Sequence, residues 1–272
     1  MTQLSNHPKI SIIIPSYNQG FFIEKTILSV LNQKYPKYEL IIIDGGSTDN
    51  TIDILKKYDS YIYYWISEED NGQSSAVNKG ISIATGDFIS WQNSDDIYWH
   101  NAFWYFAHAY ELEAEYDIYY GNYHVINQED EILWSHYLSS PSLLYQKYRG
   151  NIMANQSAFF SKKIINKCGS LDTSLQFAMD HELFLRFMMG GAKAKHIPQF
   201  LGAFRIHNAS KTGIGNQDSW RKEHAYIREK FDIQGGVMLK INSIIASLEK
   251  LYKIFFSKYF FQYLNNKFKN IL

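Results

Sequence analysis

Four short apolar runs fill the first hundred residues, each closed by a polar cluster and followed by a stretch with helical spacing. Residues 9–14 form a β-branched run ending at Pro15, which cannot continue a ladder. Residues 21–33 carry Phe22, Thr26, Ile27, Val30 and Leu31 on one helical face. A second run, 38–43, closes at Asp44-Gly45-Gly46, and Ser47 is the expected cap of a helix through Tyr58. Residues 61–66 read as a third strand, 72–85 as a helix ended by Gly86, and 88–92 as a fourth strand. This alternation predicts an α/β fold: a doubly wound, mostly parallel sheet flanked by helices.

Beyond residue 97 the pattern changes. It predicts a helix to about Glu113, strands at 116–126, 131–134 and 156–160, and a Ser/Tyr-rich connection over 139–150. A helix over 178–189, a short strand over 193–198 and a helix over 218–230 follow. The plausible boundary is Gln234-Gly235-Gly236, giving one domain over 1–234 and a C-terminal amphipathic helical tail over 235–272.

In an open α/β sheet, ligands bind at the carboxyl ends of the strands, and here those ends are polar. They read Pro15-Ser16-Tyr17-Asn18, Asp44-Gly45-Gly46-Ser47, Glu68-Glu69-Asp70-Asn71-Gly72 and Asn93-Ser94-Asp95-Asp96. The last is the most informative, because two adjacent carboxylates at a strand end suit a hard divalent cation that holds phosphate oxygens. Ser94 or Asp95 would equally serve as the cap of a helix beginning near Ile97. No Gly-x-Gly-x-x-Gly and no Gly-x-x-x-x-Gly-Lys-[Ser/Thr] is present, which argues against a dinucleotide site and a P-loop.

Composition narrows the field. Lys+Arg and Asp+Glu number 27 each, without the basic excess of a nucleic-acid binder. The single cysteine, Cys168, excludes an internal disulfide framework and a Cys-based zinc site. No charged-then-apolar leader opens the sequence and no run approaches a membrane span, so a cytoplasmic location is expected. Aromatic content is high at 17%, which suits sugar or base stacking and an aromatic core equally.

Taken in order, these segments resemble family 2 glycosyltransferases. The resemblance rests on Pro15-Ser16-Tyr17-Asn18, Ile43-Asp44-Gly45-Gly46-Ser47-Thr48-Asp49, Asp70-Asn71-Gly72-Gln73-Ser74 through Gly80, and Asn93-Ser94-Asp95-Asp96. It continues through Gln156-Ser157-Ala158-Phe159-Phe160, Met179-Asp180-His181-Glu182-Leu183 and Arg205-Ile206-His207, covering about residues 9–211. It implies a GT-A fold, a Mn²⁺ or Mg²⁺ ion, and inverting transfer of a sugar from a nucleotide diphosphate to a glycan or lipid-linked acceptor. Pro15, Tyr17, Asn18, Asn93 and Ser94 would line the nucleotide pocket. Asp44 would accept the imide N–H of uracil or thymine, and Asn78 and Lys79 would lie near the diphosphate. Asn93 stands where the family often has the first Asp of Asp-x-Asp, leaving Asp95 as the favoured metal ligand with Asp96 second. His207 would add a metal or diphosphate contact. Asp180 would be the base that deprotonates the acceptor, in a position where Met179 replaces the usual Glu; Glu182 is the alternative, with Arg186 orienting acidic neighbours. The resemblance divides the domain into a donor half (about 1–98) and an acceptor half (about 99–234).

The tail carries Ile241, Ile244, Ile245, Leu248, Leu251, Phe255, Tyr259 and Tyr263 at helical spacing, with six lysines against Glu249. A basic, aromatic amphipathic helix suits either an anionic membrane surface or a packing partner, a second copy included. A nucleotidyltransferase and a non-catalytic glycan-binding or scaffold module are the competing functions. The former lacks its glycine-rich phosphate loop, and the latter would not need Asp44, Asp95 and Asp180.

Overall fold

A computed structural model describes residues 7–208, 217–233 and 235–255. Boundary residue Gln234, the end of the resemblance at Ser210 and Lys211, and Lys258, Tyr259, Tyr263, Lys267 and Lys269 of the tail lie outside these residues.

Strand β1 (Ile10–Ser16), helix α1 (Ile23–Leu31), β2 (Tyr38–Asp44), α2 (Thr51–Lys57), β3 (Tyr64–Ser67), α3 (Gln73–Ile83) and β4 (Phe88–Trp91) form the alternating first half. There follow β5 (Ile97–Tyr98), α4 (Ala102–Leu112), β6 (Ile118–Ile126), β7 (Ile132–His136), α5 (Leu143–Tyr148), β8 (Ala158–Ser161) and α6 (Lys162–Cys168). Helix α7 (Met179–Met189), β9 (Ala194–Arg205), α8 (Gln217–Lys230) and α9 (Gly236–Phe255) complete the described chain. One nine-stranded sheet runs β3-β2-β1-β4-β8-β6-β9-β5, with β7 also paired to β6. Strands β1 to β4 are mutually parallel, whereas β8 joins β4 and β6 antiparallel and β9 runs parallel to β6.

Both faces of the sheet are covered, which is why its central strands are mostly apolar, with Ser11, Glu39 and Ser90 buried polar exceptions within them. On one face Ile13, Ile41, Ile89 and Trp91 pack with Val77 of α3, Ile164 of α6 and Phe184 of α7. On the other, Ile12, Ile14, Leu40 and Phe88 meet Ile27 of α1, Leu55 of α2 and Phe106 of α4. Much of the aromatic content serves this second layer: Phe106 and Phe159 stack at 4.4 Å, and Tyr119, Tyr98 and Phe103 close around them.

Several sequence expectations are corrected. β1 does not stop at Pro15; it runs on through Ser16, with Pro15 opposite Ile43. Pairing of β1 with β4 ends at Ile13–Trp91, so the missing proline N–H falls where only β2 still flanks the strand. Ser47 does not cap α2, whose N-cap position is Asn50; Asp49, just before it, accepts from the Thr51 N–H at 3.0 Å and the Thr51 hydroxyl at 2.5 Å. No helix begins at Ile97, because Ile97 and Tyr98 first pair with Ala203 and Gly202 of β9. The short strand expected over 193–198 is the start of a twelve-residue strand. Gly202 permits its passage: a side chain there would meet the Gln156 carbonyl oxygen at 1.9 Å. The connection over 139–150 contains α5, whose cap Ser142 accepts from the Tyr145 N–H at 3.0 Å. The likewise unanticipated α6 is capped by Ser161 and ends at Gly169, whose φ is +88°.

Helix α9 attaches through its polar side. Glu249 accepts from the Ser142 hydroxyl at 2.6 Å, Lys250 donates to the Tyr145 hydroxyl at 3.1 Å, and Lys253 donates to the Pro141 carbonyl at 2.6 Å. Val237, Ile241, Ile244, Leu248 and Leu251 are exposed along the opposite side. No helix among the described residues is long and apolar enough to cross a membrane.

Buried Glu39 fastens the start of the parallel sheet. It accepts from the Ser11 hydroxyl (2.6 Å), the Thr85 N–H (2.5 Å) and hydroxyl (2.6 Å), and pairs with Lys9 (2.5 Å). Burial works to raise its pKa, but the Lys9, Ser11 and Thr85 bonds together outweigh it and hold the carboxyl at about 2 against 4.5 for the free group. This stabilisation is therefore complete above pH 4.5 and is lost as pH falls toward 2. Glu39→Gln is expected to cost up to about 3 kcal/mol at neutral pH, with the gap to wild type narrowing in acid. Denaturant melts at pH 7 and pH 3 test this; equal midpoints at pH 7 would contradict it.

Candidate active site

The ends of β1, β2, β3 and β4 open into one cleft of about 1160 Å³. Pro15, Ser16, Tyr17 and Asn18 line it from β1, Gly45 and Gly46 from β2, Asp70 and Gln73 from the β3 loop, and Asn93, Ser94 and Asp95 from β4. The far wall is made by Tyr123 of β6, Trp134 and His136 of β7, the segment Asn151–Gln156, and Gln176, Phe177, Met179 and Asp180 before and within α7. Trp220 of α8 closes that wall.

Tyr17 is well exposed on the rim. Asn18 takes a left-handed backbone (φ 51°), donates its N–H to the Ser47 hydroxyl at 2.7 Å, and accepts from the Thr48 N–H at 2.9 Å. The first two strand ends are thereby locked together. Asp44 lies beneath this junction and not in the cleft lining. It is fully buried and accepts from the Ser47 N–H (2.8 Å), the Ser47 hydroxyl (2.5 Å) and the Ser67 hydroxyl (2.7 Å). Asn78 and Lys79 also fall outside the lining. The Asn78 amide is used at both ends by Leu171, donating to its carbonyl and accepting from its N–H at 2.9 Å each, and Lys79 pairs with Glu68.

The β4 end is a hydrogen-bonded knot. The Asn93 carbonyl oxygen accepts from Gln73 Nε2 (2.6 Å) and Trp91 Nε1 (2.9 Å), while its Nδ2 donates to Asp96 at 3.0 Å. An Asp at position 93 would instead set a second carboxylate against Asp96, which is why the amide suits this position. Asp96, expected as the second metal carboxylate, is fully buried and does not line the cleft. Its other oxygen accepts the Arg205 N–H at 2.8 Å. Burial first, then the charge of Asp95, pushes its carboxyl well above the ordinary range, against the Arg205 and Asn93 bonds. Asp95 does face the cleft, and its Oδ2 lies 2.9 Å from His207 Nε2.

No group of three or more His, Cys, Asp or Glu suited to a metal stands together among the described residues. Mg²⁺ and similar ions, however, take only one or two protein ligands when substrate phosphates supply others. Two ligands at about 2.1 Å and a right angle around one ion are about 3 Å apart, the separation of Asp95 and His207. Asp95 and His207 stand close enough to share one divalent ion completed by phosphate oxygens, whereas the Asp96 oxygens are engaged by Asn93 and Arg205.

On the opposite wall Asp180 opens α7. Its carboxylate accepts from Asn151 Nδ2 at 2.8 Å and the His181 N–H at 2.7 Å. Asn151 is itself fixed by the wholly buried Gln146 of α5 at 2.9 Å, and Gln146 also receives the Ile152 N–H at 2.8 Å. Burial raises the Asp180 pKa from 3.8, opposed by His181 and Asn151. Glu182 is not equivalent: it is fully buried, bound bidentate by Arg186 at 2.8 Å twice and by Lys230 at 2.9 Å. Arg186 also holds the carbonyls of Cys168, Gly169 and Ser170.

Gln146, Asn151, Trp220 and Glu223 carry no motif and were not anticipated; Ser142 before an apolar turn was the one readable sign of α5. Glu223 accepts the N–H groups of Gln176, Phe177 and Ala178 at 2.8–2.9 Å, capping α7 from another helix.

Comparison with known proteins accords with this geometry. Residues 11–169 match the model of glycosyl transferase family 2, and the chain belongs to that family. An uncharacterized glycosyltransferase of Rickettsia typhi is 29% identical over 88% of this chain and 78% of its own length. The putative teichuronic acid biosynthesis glycosyltransferase TuaG of Bacillus subtilis is 44% identical over 33% of this chain and 36% of its own length. Among solved structures, S. aureus TarS in complex with UDP-GlcNAc aligns over 89% of this chain and 80% of its own, with TM-score 0.61 and 15% identity. The mannosyltransferase PcManGT of Pyrobaculum calidifontis, in complex with GDP-Man and Mn²⁺, covers 92% and 73%, with TM-score 0.62 and 18% identity. The fold is thus that of GT-A transferases, and the chain is a glycosyltransferase.

Replacing Glu223 with Gln leaves one neutral acceptor for three donors. We expect a loss of about 1–2 kcal/mol, the scale of a lost helix cap, and faster amide exchange confined to residues 176–180. Exchange measured by mass spectrometry decides this; unchanged protection there would remove Glu223 from the architecture of the cleft.

Proposed function

We propose that this chain transfers a sugar from a nucleotide diphosphate, a UDP- or dTDP-sugar, to a glycan or lipid-linked acceptor with inversion, in the synthesis of a surface polysaccharide. The observation that carries the reading is a single cleft with Asp95 on one wall and Asp180 on the other. The donor lies against the half before residue 98, with Tyr17 and Asn18 along the nucleotide and Asn93 and Ser94 beneath it. The likeness to TuaG, a putative teichuronic acid biosynthesis glycosyltransferase, supports a polysaccharide acceptor held by the half after residue 99, and the TarS complex with UDP-GlcNAc supports a uridine nucleotide donor.

Asp95 and His207 would hold a Mn²⁺ or Mg²⁺ ion, which supplies charge neutralisation for the leaving diphosphate. Asp180 takes the proton of the acceptor hydroxyl as that oxygen attacks the anomeric carbon from the face opposite the diphosphate. Asn151 and the His181 N–H hold the carboxylate in place, and its raised pKa makes it a stronger base than a solvated aspartate. The pyrimidine preference rests on Asp44, which has room for one more hydrogen bond beyond those from Ser47 and Ser67. An imide N–H reaches it once Ser47 turns aside. Asn78 and Lys79 act at a distance, through the Leu171 loop and Glu68.

Asp180→Asn should lower turnover about 10²–10⁴-fold while leaving donor binding nearly unchanged. Asp95→Asn should instead abolish the Mn²⁺-dependent part of UDP affinity in calorimetry. In wild type the acid limb of the pH–rate profile should lie above 3.8, the ordinary value for Asp180. Wild-type turnover in Asp180→Asn, or product retaining the donor's anomeric configuration by NMR, would reject the mechanism.

The apolar side of α9 faces away from the domain, and we assign it to an anionic membrane surface. Large exposed apolar patches mark such interfaces. The full chain should then sediment with phosphatidylglycerol vesicles, and Ile244→Glu/Leu248→Glu should remain in the supernatant. A concentration-dependent dimer that these substitutions dissociate, without vesicle binding, would make the face a contact between copies.

A further inference from the structure

A second cavity, of about 390 Å³, lies between α5, α7, α8 and the start of α9. Lys147, Arg149, Arg221 and Arg228 line it with His181 and His224, and no carboxylate does. Of the four cations only Arg221 has a carboxylate partner among the described residues, the exposed Asp218 at 3.3 Å. Arg149 donates to the Ser243 hydroxyl at 3.1 Å, and Lys147 lies over the Tyr148 ring. Burial first, then neighbouring cationic charge including Arg228, holds His224 below the ordinary imidazole range.

His181 adds a built polar feature. It is 5% exposed, and its Nε2 lies 2.6 Å from the Gln146 carbonyl oxygen. A carbonyl only accepts, so Nε2 carries the proton. Nδ1 is buried and has no hydrogen-bond partner among the described residues, a state that ordinarily calls for a ligand or water. His181 directly follows Asp180, and Trp220, stacked on His224 at 5.3 Å, lines both this cavity and the main cleft. The two spaces therefore share a wall beside the base.

We propose that this cavity is an acceptor subsite for an acidic group, carboxylate or phosphate, carried by the glycan whose hydroxyl is presented to Asp180. The proposal rests on the reading of Asp180 as the base and adds the chemical class of the acceptor. The guanidinium groups of Arg149 and Arg228 match planar or tetrahedral oxyanions, and the Trp220 ring gives a sugar face a platform between the two spaces. A neutral glycan would leave Lys147, Arg149 and Arg228 without a carboxylate counter-charge among the described residues.

Titrating the full chain with tetragalacturonate, with inorganic phosphate and with maltotetraose, following tryptophan fluorescence, tests this. Saturable change is expected with one or both acidic probes and none with the neutral one; which of the two binds distinguishes carboxylate from phosphate. Arg228→Gln should weaken that binding about tenfold or more and Arg228→Lys less, while Trp220→Phe should remove the signal. UDP affinity, measured by calorimetry on the two Arg228 variants, should not move. The subsite is overturned if neither acidic probe binds, if maltotetraose binds equally, or if Arg228→Gln binds the acidic probe as wild type does. Donor binding and the Asp180→Asn defect would survive that result, so the failure would fall on the subsite alone.

Discussion

Arg205, at the end of β9, carries a guanidinium into a region without solvent contact, and the geometry of the cleft around Asp95 follows from how that charge is satisfied. Its Nε donates to the Asp95 carbonyl at 2.7 Å, its Nη1 to the Asn127 carbonyl at 2.8 Å and to Asp130 at 2.5 Å, and its backbone N–H to Asp96. Phe22 of α1 lies against its plane at 5.2 Å. The Thr26 hydroxyl, 2.8–2.9 Å from the Ser94 and Asp96 carbonyls, ties the same loop to α1. A buried charge left without partners is strongly unfavourable, so β9, the β6–β7 turn, α1 and the β4 end hold one another in a fixed relation. Asp95 owes its position to this clamp, and His207, two residues beyond Arg205, is brought to it by the same strand.

The two adjacent acids at 95 and 96, in the turn after β4, divide their work. Asp96 turns inward and spends its oxygens on Arg205 and Asn93, which fixes the loop. Asp95 turns outward and keeps its carboxylate for the cleft. The same division recurs in α7. Asp180 faces the cleft in a two-donor clamp, and Glu182 is consumed by Arg186 and Lys230 as a tie between α7, the 168–170 loop and α8.

The wall around Asp180 is built differently. Its helical parts come from α5, α7, α8 and α9, and they are joined by side-chain bonds: Gln146 to Asn151, Asn151 to Asp180, Glu223 to the α7 N-terminus and Glu249 to Ser142. No strand pairing joins these helices, whereas the wall around Asp95 is fixed to the sheet.

The alternating apolar runs of the first hundred residues determined a parallel sheet by themselves, because strands buried on both faces are predominantly apolar and polar clusters then mark their ends. The family was legible for the same reason, since its motifs sit at those ends. What the sequence left open were pairings between distant residues. Pattern and spacing cannot tell that β9 continues past Pro198 to deliver Arg205 and His207, or that Glu223 caps a helix 45 residues earlier. Nor could they separate Asp95 from Asp96, or show that Asp44, Asn78 and Lys79 are occupied by neighbours. A carboxylate's role depends on which atoms reach it first, and only the packed chain decided that.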